Sequence, residues 1–295
     1  DASSPPPPPT TTTTTSTNNL VTASGVVTDK VNVDLAGLLP SGDSAEISKT
    51  QRIVFGLFGN DAPTSVGTLK QLFGKDGLPA PCKPLKTDFL IQRSQLEANK
   101  IHRSCTENVN SGVNVSYEYS QIWRIIKNER IDFGSVSGKF IAREFPTFSE
   151  RKEVTPTSIV EYITSQKIQY LMAVRRGNES GFGFTVFPTT TILKELQRTS
   201  NEKNEDVSDF VQNYIIVGKV CEISNPLIEQ INQVSVVNAA KGINYKGMTG
   251  AGDEKNAPDK SCRYGGPMYC NENKPLKKLT LQRTEIESLQ AVLYL

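Results

Sequence analysis

The spacing of apolar residues divides most of the chain into short β-strands. Residues Val31 to Leu35 alternate apolar and polar side chains with a period of two, which is typical of a strand with one buried face. Similar runs recur between turn-forming residues, so an antiparallel β-domain is expected. The predicted strands lie at 31–35, 51–58, 119–126, 170–174, 182–187, 214–220 and 276–281.

Helical spacing is confined to three stretches. In the first, Val66, Leu69 and Phe73 share one helical face, Pro63 suits a first turn and Gly74 suits a helix end. The other two predicted helices lie at 157–167 and 227–234. Long irregular stretches at 75–114, 134–155 and 237–275 predict insertions that pack on the core or on another chain. One domain over 20–295 is therefore expected.

The first residues have a different composition. Pro5 to Pro9 are consecutive prolines and Thr10 to Thr15 consecutive threonines, which favours extended polyproline II over a packed core. We expect 1–19 to be an extended tail, either a flexible spacer or a segment held by a partner. Because the chain starts at Asp1 without a basic and apolar leader, we expect a removed targeting segment.

Charge and hydropathy exclude some partners. The chain has 33 Lys and Arg against 31 Asp and Glu, a net charge of +2, so no strong attraction to nucleic acid is predicted. No apolar run reaches the ~20 residues of a membrane-spanning helix. The sequence therefore predicts neither nucleic-acid binding nor a transmembrane segment.

Five cysteines permit at most two internal disulfides. Cys262 and Cys270 bracket a turn-rich stretch, and Cys82 and Cys105 both lie in polar sequence predicted to be loop. We expect these two bridges, and hence a compartment that permits disulfides. Cys221 follows an apolar run and is expected to be a buried, reduced thiol. No Cys-x-x-Cys pair is present, so a zinc site is not predicted.

The sequence gives little support for hydrolytic, metal-dependent or nucleotide-binding chemistry. His102 is the only histidine and is expected in a solvated loop, which argues against a Ser-His-Asp relay or a multi-histidine metal site. The glycine-rich stretch 247–252 lacks the Gly-Lys-Ser/Thr of a phosphate loop. No cofactor and no metal are predicted. Glycosylation sequons at Asn114 and Asn178, with the Pro/Thr tail, leave a secreted module as an alternative.

Several segments resemble the cyclophilin family of peptidyl-prolyl cis-trans isomerases. Residues 53–66, I-V-F-G-L-F-G-N-D-A-P-T-S-V, are similar to the opening strand and helix start of that family. Ile122 to Ile126 is similar to its F-H-R-x-I catalytic strand, and 170–186 and 216–222 resemble its next two segments, in the same order. The resemblance implies an eight-stranded antiparallel β-barrel closed by two helices, with an active groove on the outside.

The resemblance also implies the groove residues. In the family an arginine donates to the prolyl nitrogen, apolar side chains hold the ring and a glutamine orients a carbonyl. Arg124 falls at the arginine position, but Glu129, Arg130, Asp132 and Thr185 replace the ring-holding and orienting groups. The altered groove is expected to contain a vestigial catalytic Arg124 together with Ala173, Phe184, Phe210, Tyr214, Glu129 and Asp132.

These changes favour a catalytically degenerate cyclophilin-like protein that acts as a binding or structural subunit of a larger assembly. Its tail and insertions would contact other subunits of a membrane-associated complex. The alternative is an active isomerase or folding chaperone that rebuilds its pocket from insertion residues. Long insertions and an eroded groove resemble chloroplast members of the family, which implies the thylakoid lumen and the lumenal side of a photosystem.

Overall fold

The computed structural model describes most of the chain between residues 25 and 289. The described residues are 25–38, 51–85, 92–136, 140, 142–150, 156–178, 181–201, 209–237 and 273–289. The Pro/Thr tail and most of the 237–275 insertion lie outside them. The predicted disulfide between Cys262 and Cys270 also lies outside the described residues.

Within the described residues, eight β-strands form one antiparallel sheet. The strands are β1 (Asp29–Ala36), β2 (Gln51–Leu57), β3 (Arg124–Ile126), β4 (Arg130–Phe133), β5 (Tyr170–Arg175), β6 (Phe184–Pro188), β7 (Tyr214–Val220) and β8 (Thr280–Ser288). Their order in the sheet is β3-β4-β6-β5-β7-β2-β1-β8. The predicted mainly β class is therefore confirmed.

The sheet curls into a half-barrel, and its ladder does not close into the complete barrel that was predicted. The segment before β3 meets the start of β8 only locally. Backbone N–H groups of Tyr119 and Ile122 donate to the carbonyls of Leu281 and Leu279. Tyr119 has a φ of 63°, a left-handed conformation that interrupts an extended ladder at this point.

Most of the predicted strands are confirmed, but those at the two edges differ. The predicted strand 119–126 is reduced to β3, because residues 117–120 form a turn. The last strand begins at Thr280 rather than Leu276 and continues to Ser288. β8 is an edge strand with mostly polar residues, so its second half lacks the apolar pattern of a buried strand. β4 was not predicted, although its four residues alternate polar and apolar side chains, because so short a run is a weak signal.

Six α-helices lie in the described residues, more than the two expected to close a barrel. They are α1 (Pro63–Phe73), α2 (Gln92–Asn110), α3 (Pro156–Gln166), α4 (Thr189–Asn201), α5 (Asp209–Asn213) and α6 (Asn225–Asn232). The three predicted helices correspond to α1, α3 and α6. In α2 Cys105 is the one residue classed as buried among those described. The prediction of an irregular 75–114 stretch was wrong there, because Ile101, Cys105 and Val109 recur every four residues on one face of an otherwise polar helix.

Apolar side chains form one cluster on each face of the sheet. The inner cluster fills the curled sheet and includes Val66 and Phe73 of α1, buried as predicted, and Ile228 of α6. The outer cluster packs β5, β6 and β7 against α3, α4 and α5. Both faces of β5 are buried, since Met172 belongs to the inner cluster and Leu171 to the outer cluster.

A disulfide attaches α2 to the body of the protein. Cys82 and Cys105 are bonded across 23 positions of sequence, with their Cα atoms 6.1 Å apart. Beside it, the buried guanidinium of Arg143 donates to the carbonyls of Ala80 and Val113. The disulfide expected from the sequence between Cys82 and Cys105 is thus present, and it lies where α2 contributes Cys105, the one buried side chain among its described ones.

Candidate functional site

The residues predicted for the altered groove include one row across the outer face of the sheet. Arg124 of β3 lies opposite Asp132 of β4, which lies opposite Thr185 of β6. Thr185 lies in turn opposite Ala173 of β5. Residues directly opposite each other on antiparallel strands share a face. The strand register therefore brings Arg124, Asp132, Thr185 and Ala173 together.

Asp132 is the centre of this row. Its side chain is buried, and its Oδ1 accepts a hydrogen bond of 2.8 Å from the Thr185 hydroxyl. Its Oδ2 lies 3.7 Å from Nε of Arg124 and 3.5 Å from Nε of Arg130. Two guanidinium groups therefore share one carboxylate, which leaves an excess of positive charge at this face.

The pKa of Asp132 reflects this environment. Burial raises the pKa, while the positive charges of Arg130 and Arg124 and the Thr185 hydrogen bond lower it. The balance leaves the pKa above its ordinary value. The two arginines and the threonine therefore offset only part of the cost of burying this carboxylate.

Arg124 is held on a second side by an aromatic ring. Its guanidinium carbon lies 4.1 Å from the centroid of the Trp123 ring, a cation–π contact. The backbone N–H of Trp123 donates to the carbonyl of Asp132, which fixes the two strands in register. Arg124 is one-third exposed, but its charged group already contacts both Trp123 and Asp132.

Glu129 lies in the turn between β3 and β4 and is exposed. The turn includes Asn128, whose φ of 59° is left-handed. Asn128 and Asn232 of α6 exchange two hydrogen bonds, and the Thr191 hydroxyl of α4 donates to the Asn128 carbonyl. The turn is therefore anchored to two helices, while Glu129 contacts solvent.

Three other predicted groove residues belong to the outer cluster. Ala173 is fully buried, and Phe210 packs edge-to-face on Phe187 with ring centroids 5.3 Å apart. Tyr214 packs on both of these rings. These residues lie beneath or within the layer of α3, α4 and α5, so they do not line an open groove.

Phe184 was wrongly assigned to the groove. It belongs to the inner cluster, where its ring stacks on Phe133 and packs edge-to-face on Phe55. Side chains alternate between the two faces of a strand, so Phe184 and its neighbour Thr185 point to opposite sides. The residue of β6 that reaches the outer cluster beside Thr185 is Phe187, which the sequence reasoning missed.

The remaining candidate residues do not join this site. Cys221 is a free thiol and is half-buried rather than buried as expected. Burial raises the pKa of this thiol. His102 lies in α2, not in the loop that was predicted. Among the described residues, no group of three His, Cys, Asp or Glu is placed to hold a metal ion.

Comparisons with known proteins add no family assignment. No family model matches the chain, and no curated protein matches it. None of the described helices has the length and apolar character needed to span a membrane. The functional interpretation therefore rests on the residues of the chain and on their arrangement.

Proposed function

We propose that this chain is a catalytically degenerate cyclophilin-like protein that serves as a binding or structural subunit of a larger assembly. The observation that carries the proposal is the contact between Arg124 and Asp132. At the position where the family resemblance implies a neutral orienting glutamine, this chain has a carboxylate that holds the arginine.

Isomerisation requires a donor that is available to the substrate. Amide resonance imposes a barrier of ~18–20 kcal/mol, and an arginine lowers it by donating to the prolyl nitrogen in the transition state. Arg124 instead contacts Asp132 on one side and Trp123 on the other. The carboxylate and the ring therefore compete with a prolyl nitrogen for the position of the guanidinium.

Isomerisation also requires an apolar pocket for the proline ring. The positions that would form it carry the exposed Glu129, the ion-paired Arg130 and Thr185, which donates to Asp132. A proline ring placed on this row would desolvate charged groups without providing hydrogen bonds. Ala173, which the resemblance places in the groove, is buried in the outer cluster.

The proposed partners are other subunits of a membrane-associated complex, contacted through the tail at 1–19 and the insertions. The thylakoid lumen, on the lumenal side of a photosystem, is the location that we propose, and a secreted location is the alternative. The disulfide between Cys82 and Cys105 supports either compartment, because disulfides persist in oxidising surroundings. Deletion of residues 1–19 is expected to weaken assembly more than Arg124→Ala does.

A protease-coupled assay with a proline peptide tests the proposal. We expect the wild type and Arg124→Ala to show the same rate as the uncatalysed reaction. Arg52→Ala is the matched control, because Arg52 also pairs with an aspartate of the sheet, Asp34, at 2.7 Å. Turnover that Arg124→Ala abolishes and Arg52→Ala preserves would overturn the proposal and support an active isomerase.

A further inference from the structure

A pocket of about 530 Å³ lies beside Trp123, between the segment before β3 and the segment that leads into β8. Its lining includes Gln121, Trp123, Ser135, Leu276, Lys277 and Lys278. Leu276, Lys277 and Lys278 are exposed, and Trp123 is half-buried. The described residues that line it include no Asp or Glu. The pocket thus combines an aromatic ring with a local surplus of positive charge.

We propose that this pocket binds an acidic segment of a partner protein. Carboxylates of that segment pair with Lys277 and Lys278, and an apolar part of the segment packs against Trp123. The inference rests on the proposed function, since it names the chemistry of the partner that a binding subunit would contact. It places the contact beside Trp123 rather than on the row formed by Asp132, Thr185 and Ala173.

Two lysines of the pocket are not paired with any carboxylate in the part of the chain that the structure describes. Among the described residues, no carboxylate pairs with Lys277 or Lys278. The adjacent Arg124 shares the carboxylate of Asp132 with Arg130, which adds to the surplus. Complementary charge at an interface increases specificity and the rate of association.

The backbone holds the two lysines at this position. Gly37, after β1, has a φ of 97°, and a β-carbon there would clash with the Lys278 carbonyl. Only glycine suits this close approach. Leu279 is fully buried and accepts a hydrogen bond from the backbone N–H of Ile122. The lysines are therefore presented by an anchored segment, which lowers the entropy cost of binding.

An acidic polypeptide fits the pocket better than a nucleic acid does. The net charge of the whole chain is only +2, whereas binding to a phosphate backbone relies on an extended basic surface. A tryptophan with a neighbouring arginine is typical of the central residues of protein–protein interfaces. The chain's own residues 238–272 have five basic and four acidic side chains, so their composition supplies no surplus of carboxylates.

Fluorescence offers a direct test, because Trp123 is the only tryptophan of the chain. The full chain is titrated with an octapeptide of alternating glutamate and alanine, and separately with the same peptide carrying glutamine for glutamate. We expect a saturable change of Trp123 emission with the glutamate peptide alone, weakened by added salt. The double variant Lys277→Glu and Lys278→Glu is expected to bind this peptide about tenfold more weakly.

The matched control is Lys75→Glu with Lys100→Glu, which changes the net charge equally at two exposed lysines away from the pocket. Its affinity is expected to stay within about twofold of the wild type. Equal loss in both double variants, or equal binding of both peptides, would overturn the inference. Tighter binding of an oligothymidylate than of the glutamate peptide would overturn it in favour of nucleic acid. None of these outcomes depends on isomerase activity, so the proposed function is tested separately.

Discussion

The outer face of the sheet has two regions with opposite chemistry. The polar half comprises the outer faces of β1, β2 and β8, and the covered half comprises those of β5, β6 and β7. In the polar half, Arg52 pairs with Asp34, and Asn32 donates to Glu287 at 2.8 Å. In the covered half, Leu171, Ala173 and Phe187 are buried by helices.

One sheet therefore has two kinds of outer surface, which are stabilised in different ways. The side chains of the polar half are stabilised by hydrogen bonds and ion pairs with each other rather than by an apolar covering layer. The covered half is apolar and is stable only beneath α3, α4 and α5. The row of Arg124, Asp132 and Thr185 begins on β3 and β4 and reaches the edge of the covered half at β6, and its buried carboxylate lies near two arginines.

The largest expected effect comes from opening the covered half. Phe187→Ala removes a buried ring that packs on Phe210 and Tyr214. We expect the free energy of unfolding to fall by about 3–5 kcal/mol, because the helices cannot fully fill the cavity. Chemical denaturation measures this change. A loss below about 1 kcal/mol would mean that the helical layer contributes little to stability.

Asp29, at the start of β1, is a buried carboxylate on the side of the sheet that faces α1, where Lys70 donates to it. Burial raises its pKa, but hydrogen bonds from Lys70, Thr28 and Ser288 outweigh burial and leave the pKa below its ordinary value. We expect Asp29→Asn to lower the free energy of unfolding by about 1–3 kcal/mol at neutral pH.

The pH dependence follows from the direction of that shift. Because the folded pKa of Asp29 is depressed, its stabilisation is complete above the unfolded pKa of about 3.9 and is lost as the pH falls through the folded value. The difference between the wild type and Asp29→Asn should therefore shrink at acidic pH. A difference that grows on acidification would contradict the assignment.

Thr185→Val tests the row of Arg124, Asp132 and Thr185 at the edge of the covered half. The variant removes the hydroxyl that donates to Asp132 while keeping the size of the side chain. We expect the free energy of unfolding to fall by about 0.5–1.5 kcal/mol. We also expect the pKa of Asp132 to rise further, which NMR of its carboxyl carbon measures. Since this folded pKa is already raised, ionised Asp132 costs stability at neutral pH, and the cost disappears as the pH falls through the folded pKa.

The smallest effect is expected in the polar half itself. Asp34→Ala breaks the pair with Arg52, whose side chain is 47% exposed. We expect the free energy of unfolding to fall by only about 0–1 kcal/mol, because solvent screens such a pair. Thermal unfolding of Asp34→Ala and of Phe187→Ala under the same conditions compares the two halves directly. A loss as large as that of Phe187→Ala would remove the distinction between them.

The sequence predicted the two halves to different degrees. The alternation from Val31 to Leu35 predicted one buried face for β1, and the inner cluster contains Val31, Val33 and Leu35. The uniformly apolar start of β5 indicated a strand, but apolar composition alone could not identify what covers its outer face. The covering helix α4 could have been found from Ile192 and Leu196, which are four residues apart and buried.

Other features had a weaker signal or none. The helix α2 is mostly exposed and polar, and its period rests on only a few apolar residues, Ile101, Cys105 and Val109, which are spaced four apart. The wrong assignment of Phe184 arose because a motif match identifies a strand without fixing which face each residue occupies. The contact of Arg124 with Asp132 depends on the pairing of β3 with β4, and β4 was itself not predicted.

An NMR titration of the isotope-labelled chain with a short proline peptide tests directly whether the row around Arg124 can bind a prolyl substrate. The signals to follow are the side-chain Nε–H of Arg124 and the backbone amides of Ala173 and Thr185. We predict no saturable shift in any of them, because Asp132 and Trp123 hold the guanidinium and the outer cluster buries Ala173. Saturable shifts of all three signals, with those of Ala173 and Thr185 lost in Arg124→Ala, would show a working prolyl groove and contradict the account.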